Sequence, residues 1–144
     1  MKHLRILNAL YEISLALEPV GGSRVAAAIV LGRDVVSIGT NKRKTHPFQA
    51  QHARNEQSIF LHAENDAINK ALKLVDVKDL TRATLYICRS KWLYTSPYNC
   101  GYTGWGLSKP CSGCDTTINK YKISRTIYTL EGFPSKNNVK IIGD

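Results

Sequence analysis

Two short segments, Leu61-His62-Ala63-Glu64 and Lys109-Pro110-Cys111-Ser112-Gly113-Cys114, constrain this chain more than any other feature. Zinc prefers imidazole and thiolate ligands, and a zinc site that does chemistry keeps its fourth position for water. His62, Cys111 and Cys114 make three such ligands, and the sequence offers no equally placed fourth. The Cys-x-x-Cys spacing lets both sulfurs reach one ion from a single first turn. Apolar periodicity predicts helices over residues 61–74 and 111–121, so both segments start helices. There the helix dipole favours thiolate over thiol. Pro110 suits the position before the second turn because it supplies no N–H to the ladder.

Glu64 follows His62 by two residues and can lean toward the open position without binding the metal. A proton carrier is needed at that place. Zinc lowers the pKa of a bound water from about 15.7 to about 7. The resulting nucleophile suits attack on the amidine-like carbon of a nucleobase, with the carboxylate passing protons to the ring nitrogen and the leaving ammonia. Each part has a plainer reading alone. A Cys-x-x-Cys can be a redox pair or half a structural zinc site, His62 a core histidine, Glu64 a first-turn charge. Together, His-x-Glu starting one helix and Pro-Cys-x-x-Cys starting the next form the pattern of zinc deaminases.

The remaining elements fit a layered domain. Leu4, Leu7, Leu10, Tyr11, Ile13, Leu15 and Leu17 have mostly helical spacing and stop at Pro19 and Gly21-Gly22. Residues 24–31 and 35–39 read as a strand hairpin turned at Gly32-Arg33-Asp34. Residues 41–57 and 89–109 read as loops, 83–88 and 126–130 as strands, and 138–142 as a short edge strand. The sum is a three-layer α/β/α domain over residues 1–144. Its central mixed sheet would hold four to five strands, the later units being parallel crossovers. No repeat, low-complexity tract or linker divides it.

Charge and cysteine usage narrow the setting. With 20 Lys and Arg against 11 Asp and Glu, the net charge is +9. That favours a phosphate-bearing partner, a free nucleotide or a nucleic acid, over merely solvated lysines. No apolar run approaches the roughly 18 residues of a membrane span, and no cleavable leader pattern is visible. With 4 cysteines, two of them in a tight pair, metal chemistry is favoured over a disulfide framework, and a cytoplasmic compartment is expected.

On these motifs the chain resembles the cytidine and deoxycytidylate deaminase superfamily over nearly its whole length. The resemblance implies a cytidine-deaminase-like fold and one zinc per chain on His62, Cys111 and Cys114, with Glu64 as proton shuttle. It also implies substrate contacts from Asn41, at the end of Ser37-Ile38-Gly39-Thr40-Asn41, from the Ala63 N–H and from the Lys109 carbonyl. A homo-oligomer is implied likewise. Asn41 also fits a plain turn role, since strand ends are rich in Asn.

One interval departs from compact nucleotide deaminases. Residues 89–109 are long and carry Trp92, Tyr94, Tyr98, Tyr102 and Trp105 among Arg89, Lys91 and Lys109. Such residues can stack and steer a base of a polynucleotide, or pack as an ordered flap. Lys42-Arg43-Lys44 with His46 follow Asn41 and are candidates to hold a substrate phosphate, or a solvated loop. His46 and His52 with Cys88 or Cys100 have no spacing that argues for a second metal site, and Cys88 suits a core. The leading expectation is hydrolytic deamination of a cytosine nucleotide or nucleoside, with deoxycytidylate the preferred substrate. The alternative is a deaminase acting on cytosine or adenine within single-stranded DNA or RNA. A zinc-stabilised binding module is a third reading, against which Glu64 speaks.

Overall fold

A computed structural model of the chain describes residues 2–20, 23–45, 47–50, 60–94 and 101–143. The strands are β1 (Arg24–Leu31), β2 (Asp34–Thr40), β3 (Lys42–Thr45), β4 (Phe60–Leu61), β5 (Thr84–Tyr94), β6 (Gly101–Gly106), β7 (Arg125–Thr129) and β8 (Val139–Gly143). The α-helices are α1 (Lys2–Leu15), α2 (Pro47–Ala50), α3 (Ala63–Ala71) and α4 (Ser112–Lys120). Five strands run in the order β2-β1-β5-β7-β8, and β6 joins as a sixth by pairing with β5. Strands β3 and β4 make a separate two-stranded ladder.

The sheet follows from its apolar runs. Gly32, at φ 61°, supplies the left-handed residue that turns β1 into β2. Along β1, Ala27 and Ile29 face one side while Ala26, Ala28 and Val30 face the other, and both sides are buried. Strand β5 repeats this with Leu85 and Ile87 against Tyr86 and Cys88. A sheet apolar on both faces needs a layer on each. Helix α1 covers one face with Leu7 and Leu10, and α3 and α4 cover the other with Ala67, Ile68 and Ile118. The expected three layers are present.

The expected mixed sheet is present with five strands on its main path, and β6 adds a sixth. The reason lies in residues 89–109, expected as a loop: β5 runs on to Tyr94 and β6 returns beside it, from Tyr94↔Gly101 to Arg89↔Gly106. Its Gly, Tyr and Trp content reads as loop, but cross-strand pairing supplies the order that alternation does not. Among the described residues only β5 and β7 pair in parallel, joined across α4, while β1 with β5 and β7 with β8 are antiparallel. No described helix is long and apolar enough to cross a membrane.

The aromatic residues of this hairpin separate. Trp105 is wholly buried beside α1, and Tyr102 stacks on Phe133 at 4.1 Å between ring centroids. Trp92 is 53% exposed. Tyr98 lies outside the described residues.

Candidate active site

Helix α3 begins where β2 ends its contact with it. Gly39 has no room for a side chain: a Cβ there would stand 2.3 Å from the Ala63 carbonyl oxygen and from the Ala67 nitrogen. The Ser37 hydroxyl donates to the Ala67 carbonyl at 2.7 Å, which ties the strand to the helix backbone. His62 is the N-cap of α3, in extended conformation. Its N–H donates to the Gln49 side-chain oxygen at 3.1 Å, and the Asn65 amide donates to the same oxygen at 2.7 Å. Asp66, one turn further on, accepts from Lys42, from Lys70 and from the Thr40 N–H. Burial alone would raise its pKa, but these donors outweigh it and hold the carboxyl below the usual aspartate range.

The cysteine segment is tied to the sheet from the other side. Ser108, buried, donates from Oγ to the Ile87 carbonyl at 3.0 Å and accepts the Thr129 N–H at 2.8 Å. The Ser108 N–H donates in turn to the Thr129 carbonyl at 3.0 Å. These bonds seat residues 108–111 over the ends of β5 and β7. Cys111 then N-caps α4, and Cys114 lies in its first turn.

The two helix starts meet. His62 Nδ1 stands 3.5 Å from Cys111 Sγ and 3.3 Å from Cys114 Sγ. Tetrahedral zinc, with bonds of about 2.3 Å to sulfur and 2.0–2.1 Å to nitrogen, requires N···S separations of about 3.5 Å. Among the described residues no other group of three His, Cys, Asp or Glu side chains is arranged to share an ion. The hydrogen bond with Cys114, helped by His62, holds the Cys111 thiol down at about 3 against the effect of burial. Cys114, facing Cys111 and then buried beside Glu64, is pushed well up. Two sulfurs at the start of α4, facing the His62 imidazole at the start of α3, are a donor set that a divalent cation completes as two thiolates. The residues fit zinc.

Glu64 is 6% exposed in the first turn of α3. Burial raises its pKa, with His62 and Cys114 opposing. Its carboxyl opens, with His62 and Cys111, onto a cavity of about 590 Å³. Asn41, Ala63 and Lys109 line the same cavity, while Cys114 is wholly buried. Asn41 holds the start of β1 to the end of β2. Its side chain accepts from the Val25 N–H at 3.0 Å and donates to the Ser23 carbonyl at 2.9 Å, which leaves one donor hydrogen and one acceptor lone pair for a ligand.

Some expectations end elsewhere. Lys42 is engaged by Asp66, and with Arg43 it lines a different cavity beside Glu18 and Pro19. Cys88 is wholly buried, and burial pushes its thiol up, as a core residue requires. His46, His52 and Cys100 lie outside the described residues. Sequence reasoning missed Gln49, Ser108 and Thr129, whose roles are hydrogen bonds to backbone that no residue spacing announces.

The matches to known proteins agree with this geometry. A family model described as "Cytidine and deoxycytidylate deaminase zinc-binding region" matches residues 2–130, and the chain belongs to that family. It is accordingly a deaminase-type hydrolase whose cofactor is zinc, with His62, Cys111 and Cys114 forming the site that fits it. Among solved structures, the chain is similar to the dCMP deaminase from the cyanophage S-TIM5 in apo form. That match has a TM-score of 0.52 and 15% identity, over 90% of this chain and 80% of that one. The same cyanophage enzyme in complex with dCMP and dUMP matches with a TM-score of 0.51 and 16% identity, over 90% and 79%. No curated protein sequence matches significantly.

Proposed function

We propose that the protein deaminates a free cytosine nucleotide, deoxycytidylate to deoxyuridylate. The observation that carries the reading is the buried Glu64 carboxyl, set beside His62 and the cysteine pair at the wall of a cavity large enough for a nucleotide. When bound by His62 Nδ1 and the Cys111 and Cys114 thiolates, zinc supplies Lewis-acid activation of water. Glu64 takes a proton from the attacking water and delivers one to N3 of the base. It then takes the second proton from the hydroxyl now on C4 and passes it to the amino nitrogen, so that the C4 carbonyl forms as the C4–N bond breaks and ammonia leaves. A carboxyl with a raised pKa suits a group that must both accept and donate near neutrality. The Ala63 N–H and the Lys109 carbonyl hold the base, and Asn41 offers its remaining donor and acceptor to the sugar. Deoxycytidylate is the nucleotide put forward because the cyanophage enzyme of similar fold is a dCMP deaminase.

Product analysis with cytidine, deoxycytidine, deoxycytidylate and a labelled cytosine-containing single strand tests the reading. Deoxyuridylate and ammonia should form fastest from deoxycytidylate. Turnover confined to the single strand would overturn it. That second reading, a polynucleotide substrate, draws its support from Trp92, exposed on the β5–β6 hairpin next to Lys91 in a chain of charge +9. Its activity would fall steeply with added salt.

A further inference from the structure

The wall of the active-site cavity carries a cation with no role in the chemistry so far. Along β5, Leu85 and Ile87 point into the α3–α4 layer, and Arg89 is the next residue on that face. The pleat therefore turns Arg89 out of the core and into the cavity shared by His62, Glu64 and Cys111. Its partner across the ladder is Gly106. A Cβ on Gly106 would come within 3.0 Å of Arg89 Cδ and 3.2 Å of Cγ, so the arginine stem lies in the space that this glycine leaves.

The guanidinium is not spoken for. Its Nε is buried and has no hydrogen-bond partner among the described residues, and no described carboxylate forms an ion pair with it. Glu131, whose carboxyl feels the Arg89 charge, is engaged by Lys91. A buried donor without a partner costs free energy, and arginine's planar fork matches an oxyanion in two contacts. The basic segment that follows Asn41 is a poorer candidate. Lys42 is bound to Asp66, and Arg43 lines an adjoining cavity that shares Val20 and Asn41 with this one but not His62, Glu64 or Cys111.

We propose that Arg89 is the specificity-determining residue that binds the 5′-phosphate of the substrate nucleotide. This rests on the nucleotide reading above and says which side chain enforces it. The contact is the same before and during reaction, so its loss falls on KM and spares kcat.

The test compares kcat/KM for deoxycytidylate and deoxycytidine in wild type, Arg89→Met, Arg89→Lys and Arg43→Gln. Arg89→Met should lose about ten- to a hundredfold on deoxycytidylate, through KM, while deoxycytidine stays within about threefold. Arg89→Lys keeps the charge but not the fork. It should lose less, again on the nucleotide alone, and it decides the matter if Arg89→Met does not fold. Undiminished turnover of deoxycytidylate in both Arg89 variants, an equal loss on both substrates, or loss of the phosphate preference in Arg43→Gln instead would overturn the assignment. Wild-type enzyme that ignores deoxycytidylate and deaminates only a single strand overturns the nucleotide reading, and is recognised before any variant is made.

Discussion

The side-chain oxygen of Gln49 accepts the backbone N–H of His62 at 3.1 Å, so a zinc ligand is held in place by a residue that never reaches the metal. Gln49 is wholly buried and binds Asn65 through the same oxygen. Gln49→Leu keeps the volume but strands both donors. A loss of about 1–3 kcal/mol in unfolding free energy is expected, together with weaker zinc retention against a chelator. Unchanged values for both would mean that the N-cap position of His62 is set by the helix alone.

Purified protein should hold one zinc per chain. Cys111→Ala should hold far less, and removing the metal from wild type should lower the melting temperature, because binding to the folded state alone stabilises it. Metal analysis beside thermal melts checks this. Full zinc in Cys111→Ala would remove that residue from the ligand set.

Glu64→Gln separates metal binding from turnover. The variant should fold and keep its zinc, yet deaminate slower by several orders of magnitude, since the amide cannot carry the protons. Near-normal turnover in a zinc-loaded sample would hand the shuttle to another group.

Gly39→Ala is expected to be severe for its size. The added methyl meets the backbone of α3 at two points, each 2.3 Å away, and neither can swing aside as a side chain would. Strand and helix must part. A loss of about 1–3 kcal/mol or more is the usual scale of overpacking, read by denaturant unfolding. An unaffected midpoint would show that β2 has slack against the helix.

Asp66 gives a pH dependence with a defined sign. Its carboxyl titrates below the ordinary value of 3.8 in the folded chain. Its stabilisation is therefore complete above the unfolded value and fades as pH falls through the folded one. Asp66→Asn should cost about 1.5–3 kcal/mol near neutrality, and the gap to wild type should close on acidification below about pH 4. A gap that stays constant to pH 3 would assign the loss to packing.

What could be read from the sequence divides along physical lines. The ligand set, and the place of Glu64 beside it, were legible because metal chemistry restricts residue type and spacing together. The β1–β2 hairpin and the three layers followed from apolar runs that must be buried on both faces. The β5–β6 hairpin was not legible, because Gly101, Gly104 and Gly106 weaken any strand pattern and their order comes from partners distant in the chain. Arg89 could be seen only as one cation among aromatics. Its distinction is the face of β5 it occupies and the glycine opposite it, and neither is a local property.

The closing pair of that hairpin, Arg89 opposite Gly106, has an evolutionary consequence. The chain runs from Arg89 along β5 to Tyr94 and returns along β6 to the same rung before descending to Ser108 and the cysteines. Near its base Trp105 is bound into the core, but whatever lies beyond Tyr94 and Gly101 departs and returns through one doorway, so its length can drift without shifting the metal ligands. The excursion is a place where this enzyme can acquire new substrate preferences by insertion, while the chemistry downstream stays where it was.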